Sequence, residues 1–405
     1  MNTTGFFYRH TRMGGNHVAA LIATGLQLSL ILVPFGSLQA GENKERNAFT
    51  WKNLQSDIAG VADRTDANLV NSWGLTINTM ANVFWINDNG TGVSTLYRPN
   101  GSPVLLGNSG QNFVTLPVTA ADNAMTPPAT TAAPTGIVYN PSSSLPNSNL
   151  FLIPGTKDPA VFIFDGEDGG IWAWNPNFNL TNAVLVVDTS TSPSLADGSV
   201  YKGLALANRS NGGPTLYAAN FRHGTVDVFD SNFMPVTGGF VDPNLPMNYA
   251  PFGIASIDNL LYVTFALQDD AKHDDVKGIG HGFVDVFTPE GVLTKRLIPF
   301  TPGSGPLNSP WGLARVPHEF GNFGHDVLLV GNFGDGMINA FNIHTGTFIA
   351  SLQHRPGQPL AFNGLWGLFF FDDRLYFAAG IGDETHGLFG VIRPKEREEE
   401  EDSHD

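Results

Sequence analysis

Residues 269–281 hold Asp269, Asp270, His273, Asp274, Asp275 and His281 within thirteen positions. Carboxylates mixed with imidazoles are a donor set for Zn²⁺, Mn²⁺ or Fe²⁺; carboxylates with carbonyls alone suit Ca²⁺. The spacing fits no named metal motif, and Lys272 and Lys277 offset part of the negative charge. The plainer account is a solvated, charged surface loop. A second compact group is "GDETHG" at 382–387, where Asp383, Glu384 and His386 join two carboxyls to an imidazole. That is enough for acid–base work, although a hairpin turn of ordinary turn residues is simpler. "NFRHG" at 220–224 sets His223 beside Arg222, either to hold an anion or merely to turn the chain. "NDNGTG" at 87–92, with Asp88, has neither the length nor the closing Glu of an EF-hand loop, so a tight turn explains it. No G-x-S-x-G, H-E-x-x-H, P-loop or dinucleotide fingerprint is present, and the absence of Cys removes thiolate catalysis, disulfides and Cys-ligated zinc.

These residues need elements to position them, and a repeat supplies those elements. A small or apolar pair precedes Gly and then a hydrophobic residue six times: "NSWGLTI" at 71, "APTGIVY" at 133, "VYKGLAL" at 200, "APFGIAS" at 250, "SPWGLAR" at 309 and "GLWGLFF" at 364. Further short runs follow, among them "VFWIND" at 83, "GTVDVF" at 224, "PVLLG" at 103 and "KRLIPF" at 295. They are rich in β-branched and aromatic residues, bounded by Gly, Asn and Asp, and without helical period. Four antiparallel strands repeated six times predict an all-β, six-bladed β-propeller. The Gly lets inner strands approach closely, and the Trp before it is expected to cap the gap between blades as packing. The last unit lacks a strand, and "NAFTWKNLQSD" at 47–57 is spare, so it is expected to join the last blade and close the ring.

Successive blade strands point in opposite directions, so the turns between second and third strands share one face with the blade entries. Such a mouth would gather Asp88, Glu167, Arg222, His223, Asp335, Asp383 and Glu384 as ligand-binding candidates, with Asp270, His273, Asp274, His281 and His386 as candidate metal ligands. The cofactor expected there, if any, is a divalent cation, calcium or a transition metal.

Arg9, His10 and Arg12, the apolar stretch Val18–Val33 and "SLQA" ending at Ala40 predict a signal peptide over 1–40, with an uncleaved anchor as the alternative. Residues 41–393 then form a single propeller, and 394–405 an acidic, disordered tail. "TAADNAMTPPATTAAPT" at 119–135 reads as a flexible connection. A net charge of −16 argues against nucleic acid as a partner.

The six Gly segments, "FIFDGEDGGIWAWNP" at 162–176 and "YAANFRHGTVDVFD" at 217–230 resemble a group of exported bacterial proteins first catalogued as conserved hypotheticals with a PEP-CTERM sorting tail, and more distantly NHL propellers. The likeness covers about residues 47–393, but the Pro-Glu-Pro tail is missing here. The resemblance implies export and a propeller, and brings no catalytic residue with it. The expected function is a monomeric, periplasmic or secreted, non-catalytic scaffold for a protein, glycan, small molecule or envelope component. The alternative is a metal-dependent hydrolase or lyase with its site at the mouth.

Overall fold

The computed structural model describes residues 47–395. The expected signal peptide and nearly all of the acidic tail lie outside them. Six sheets stand around an axis. Their innermost strands are Ser72–Asn78, Pro134–Tyr139, Tyr201–Arg209, Tyr249–Ile257, Pro310–Arg315 and Leu365–Phe371. Each innermost strand packs on that of the next blade, and the sixth packs on the first. The ladders are antiparallel, as short hairpin-linked strands require. Phe49–Ser56 pairs antiparallel with His386–Pro394 as the outer strand of the sixth blade.

Two outer strands differ from expectation. In blade 1 the fourth strand is Phe113–Thr115 rather than "PVLLG", of which only Pro103 makes a bridge, to Tyr97. Blade 3 has three ladder strands, with an isolated Phe229–Pro235 bridge at its rim. The connection at 119–135 also contains a short helix, Ala120–Ala124, capped reciprocally by Thr119 and Asp122.

The core is divided by the symmetry of the ring. Six clusters fill the six inter-blade spaces; between blades 1 and 2, for example, Trp85 stacks on Phe162 at 4.2 Å. Both faces of the second strands are covered, which is why "VFWIND" is buried throughout. A seventh cluster lies on the axis.

The repeated glycine has two structural consequences. A Cβ on Gly312 would stand 2.5 Å from the Trp366 carbonyl oxygen, and one on Gly367 2.6 Å from that of Trp73, so side chains are excluded where neighbouring blades touch. At the same place every first-to-second strand pairing slips register, from Ser72/Leu75 in blade 1 to Leu365/Leu368 in blade 6. Such bulges re-aim a side chain, here the residue before the Gly, which is Trp73, Thr135, Lys202, Phe252, Trp311 or Trp366.

Candidate functional site

Five of those six residues meet on the axis. Trp73 stacks on Trp366 at 3.4 Å, Trp366 stacks on Phe333 at 3.9 Å, and Trp311 meets both Trp rings edge-on. Phe252 and Phe221 complete the floor. The Trp311 indole donates across the ring to the Lys202 carbonyl at 2.6 Å. The tryptophans therefore plug the channel rather than cap gaps between adjacent blades.

On this floor lies a charge cluster. Lys202 is buried, its ammonium 5.2 Å from the Trp73 ring centre, and it pairs with Glu167 and, at 3.3 Å, with Asp274. Burial pulls the Lys202 amine down, but Glu167 and then Asp274 more than offset it, so it stays protonated. The His273 hydrogen bond, 2.9 Å from its Nδ1, holds Asp274 well below the usual carboxylate range. Asn89 ties the second Glu167 oxygen at 2.8 Å and also accepts from Asn71. Glu384 faces the same group. Burial, and then the charge of Glu167, push its carboxyl up to about 7 against the opposing pull of Lys202, Asn71 and Lys277. Asp275 is raised by burial too, with Ser309, Lys202 and Lys277 pulling it back.

Among the described residues, several buried polar atoms around this mouth have no protein partner: Asn71 Oδ1, Trp73 Nε1 and Trp366 Nε1. Buried polar atoms in folded proteins are normally hydrogen-bonded to protein, water or ligand, so these are open to a polar partner. Asn71 and Ser309, each two residues before a mouth Trp, hold left-handed backbone at φ 50° and 46°. Ser rarely adopts that conformation, and such strain gathers at binding sites.

Of the expected mouth residues, Glu167, His273, Asp274 and Glu384 come together, and the rest do not. Asp88 ends its strand inside blade 1, fully buried, receiving hydrogen bonds from Ser72 at 2.8 Å and Thr95 at 2.7 Å. Asp335 is occupied by Asn308, Asn332 and the Met337 amide of its own turn. Arg222 donates to the Gly198 carbonyl, and His223 lies between Asn220 and the Asp197 carbonyl, so both brace the loop over 194–199. Asp383 is an exposed turn residue at φ 54°, and Asp270 is exposed as well.

The expected metal set is likewise dispersed. His281 Nδ1 lies 2.8 Å from the Val276 carbonyl, within its own loop. His386 pairs with Asp57 at 2.6 Å and so fastens the chain after the N-terminal strand. The donor atoms of Glu167, His273 and Asp274 do lie within 4.8 Å of one another, but the Lys202 ammonium binds both carboxylates of that trio. Lys202 was legible in principle, since aligning the six entries puts one Lys where the others carry Trp, Phe or Thr.

Beyond the plug the channel opens again. A cavity of about 500 Å³ lies at the far end, lined by all six innermost strands. Leu75, Ile137, Leu204, Ile254, Leu313 and Leu368, each following a repeat Gly, form its inner ring. None of the expected site residues lines it.

No established family profile matches the chain. An uncharacterized protein of Acanthamoeba polyphaga mimivirus is 30% identical over 373 residues, covering 89% of this chain and 83% of the viral one. A second from the same virus is 32% identical over 370 residues, covering 89% and 88%. The chain belongs to the family of these viral proteins. Both of these relatives are viral proteins. Among solved structures, Staphylococcus aureus virginiamycin B lyase superposes with a TM-score of 0.46 at 14% identity, covering 85% of this chain and 99% of the lyase. A glucose dehydrogenase does so with 0.48 at 13%, covering 86% and 100%. At such distances nothing of their chemistry transfers to this family. No helix among the described residues is long and apolar enough to cross a membrane.

Proposed function

We propose that this protein is an exported propeller that binds a polar ligand at the axial mouth without transforming it. The ligand is a small molecule, or a polar group on a glycan or protein. The reading rests on the unpartnered buried atoms Asn71 Oδ1 and the two indole nitrogens, set beside the Lys202–Glu167–Asp274 cluster. A half-satisfied buried network is costly, and a polar ligand completes it. A catalytic reading has less support. Lys202, the amine between Glu167 and Asp274, is held protonated and is no nucleophile. A metal-dependent hydrolase would draw on Asp270, His273, Asp274, His281 and His386, of which only His273 and Asp274 meet. Export is supported by the basic start and the apolar stretch Val18–Val33.

The test is a thermal-shift screen of the mature chain against glycan and metabolite libraries. Hits are repeated on Glu384→Ala and assayed for turnover. Hits that the variant loses, and that are recovered unchanged, support the reading. Consumption of a hit, or hits indifferent to the variant, would overturn it. One transition-metal ion per chain, released by His273→Ala, would favour the hydrolase.

A further inference from the structure

The polar mouth has a charge excess of one sign. Glu167, Asp274, Asp275 and Glu384 reach it from blades 2, 4 and 6, against the ammoniums of Lys202 and Lys277. Lys202 is already shared by Glu167 and Asp274. Lys277 is different. It stands on the exposed loop between the second and third strands of blade 4, and its ammonium lies 4.0 Å from the centre of the Phe333 ring. Among the described residues it reaches no carboxylate at ion-pair distance, although it acts at longer range on Asp275 and Glu384. Phe333 is itself buried and stacks on Trp366, so it belongs to the floor of the site. A flexible surface lysine is thus covering an aromatic face inside an acidic mouth. An ammonium over such a face is attracted by the ring quadrupole, and nearby carboxylates strengthen the site.

We propose that the mouth recognises its ligand through an organic ammonium group, seated on the Phe333 ring in the place that the Lys277 ammonium holds in the free protein. The inference rests on the binding function proposed above and names the chemical class of its ligand. Lys277 is then a tethered stand-in that swings away when the ligand arrives, as its exposed loop permits. The unpartnered acceptor Asn71 Oδ1 and the Asp275 carboxylate beside the floor suit the N–H donors of a primary ammonium. A divalent metal fits less well. The Lys202 ammonium already binds two of the three side chains that would ligate it, and an aromatic floor offers no oxygen donor to a hard cation.

The test is calorimetric titration of the full mature chain with two matched pairs of probes. Glucosamine is set against N-acetylglucosamine, and Nα-acetyl-lysine amide against its Nε-acetylated form. In each pair acetylation removes the charge. We expect saturable binding of an amine and roughly tenfold or weaker binding of its acetylated partner. Lys277→Ala frees the ring and is expected to tighten the amine about two- to fivefold, whereas Phe333→Leu weakens it by a similar factor. Glucosamine alone would identify an amino sugar as the source of the ammonium, and the lysine amide alone a protein side chain. Equal affinity within a pair, weakening by Lys277→Ala, or no saturable heat at about 50 mM of every probe would overturn the assignment. If the acetylated sugars bind as well as the amines, the mouth still binds ligand and only the ammonium class fails. Hits in the library screen that ignore Glu384→Ala would remove the mouth itself.

Discussion

The two ends of the channel are built from the same six strands and differ in how strictly they repeat. On the far side of the plug the position after each repeat Gly is Leu or Ile in every blade, and the ring so formed lines the cavity of about 500 Å³. On the mouth side the position before that Gly is Trp three times, then Phe, Thr and Lys. Packing alone explains the regular ring, because equivalent places in equivalent blades need the same aliphatic volume. It does not explain a buried lysine between two acids. In a repeat protein the place where the repeat breaks, and breaks toward charge, is where something other than folding is being served.

The most severe way to break this contrast is to remove the wall between the two ends. Trp366→Ala deletes the ring that touches Trp73, Trp311, Phe252 and Phe333. The expected cost is about 3–5 kcal/mol of unfolding free energy, read from urea denaturation. The variant should also let an apolar dye entering the far cavity quench under charged quenchers applied at the mouth, which the intact plug prevents. A cost below about 1 kcal/mol would mean that the plug is not part of the core. Next in size is Lys202→Met, which leaves Glu167 and Asp274 facing each other without a cation. Removing one partner of a buried pair costs about 3–5 kcal/mol, and Asp274 is exposed enough that about 2–3 kcal/mol is expected here. Lys202→Met with Glu167→Gln should recover most of the loss. If the double variant is no more stable than the single one, Lys202 acts through its stem on Trp73 and not through its charge.

The repeat was legible because backbone contact between blades admits only Gly or a near equivalent, which stamps a period on the chain. Rim strands were less legible. "PVLLG" has the composition of a strand, yet Leu105 is 56% exposed and the true outer strand is the three-residue Phe113–Thr115. Rim pairing depends on few hydrogen bonds, so composition decides little there. At the site, topology alone put Glu167, His273, Asp274 and Glu384 on one face, where the structure has them near Lys202. It could not exclude His223, His281 and His386, because hydrogen bonds turn them aside, His223 to Asn220 and Asp197, His281 to Val276 and His386 to Asp57. Asp88 failed for a different reason. It is the last residue of its strand rather than the first of the turn, and alternation points it inward at Ser72 and Thr95.

A smaller effect separates the ends further. Leu206 lines the far cavity and is only partly buried. Leu206→Ser is expected to cost about 1 kcal/mol or less and to leave ligand binding at the mouth unchanged. A change in mouth affinity as large as that from Phe333→Leu would show that the plug transmits between the two ends.

The finest distinction is in pH dependence, because among the described residues only the mouth carries a carboxyl poised near neutrality in contact with solvent. Burial and the charge of Glu167 raise Glu384 to about 7, while Lys202, Lys277 and Asn71 oppose the shift. A carboxyl raised on folding binds its proton more tightly in the native chain than in the unfolded one. Stability from this group is therefore full below its unfolded value near pH 4–5 and is lost as pH rises through about 7. Glu384→Gln should flatten that part of the curve, so that melting temperatures at pH 5 and pH 8 lie closer together than in the parent. The slope will not vanish, since Asp165, buried against Thr135 and the Gly136 amide and likewise raised to about 7, contributes with the same sign in both proteins. In the parent an arriving ammonium only replaces that of Lys277, which already acts on Glu384, so few protons should be released. In Lys277→Ala the amine adds a positive charge and favours the ionised form of Glu384, so binding should release protons near pH 7, and calorimetry in buffers of different ionisation heat would count them. Proton release that persists undiminished when Glu384→Gln is added would assign the linkage to Asp275 instead, the other raised carboxyl of the mouth.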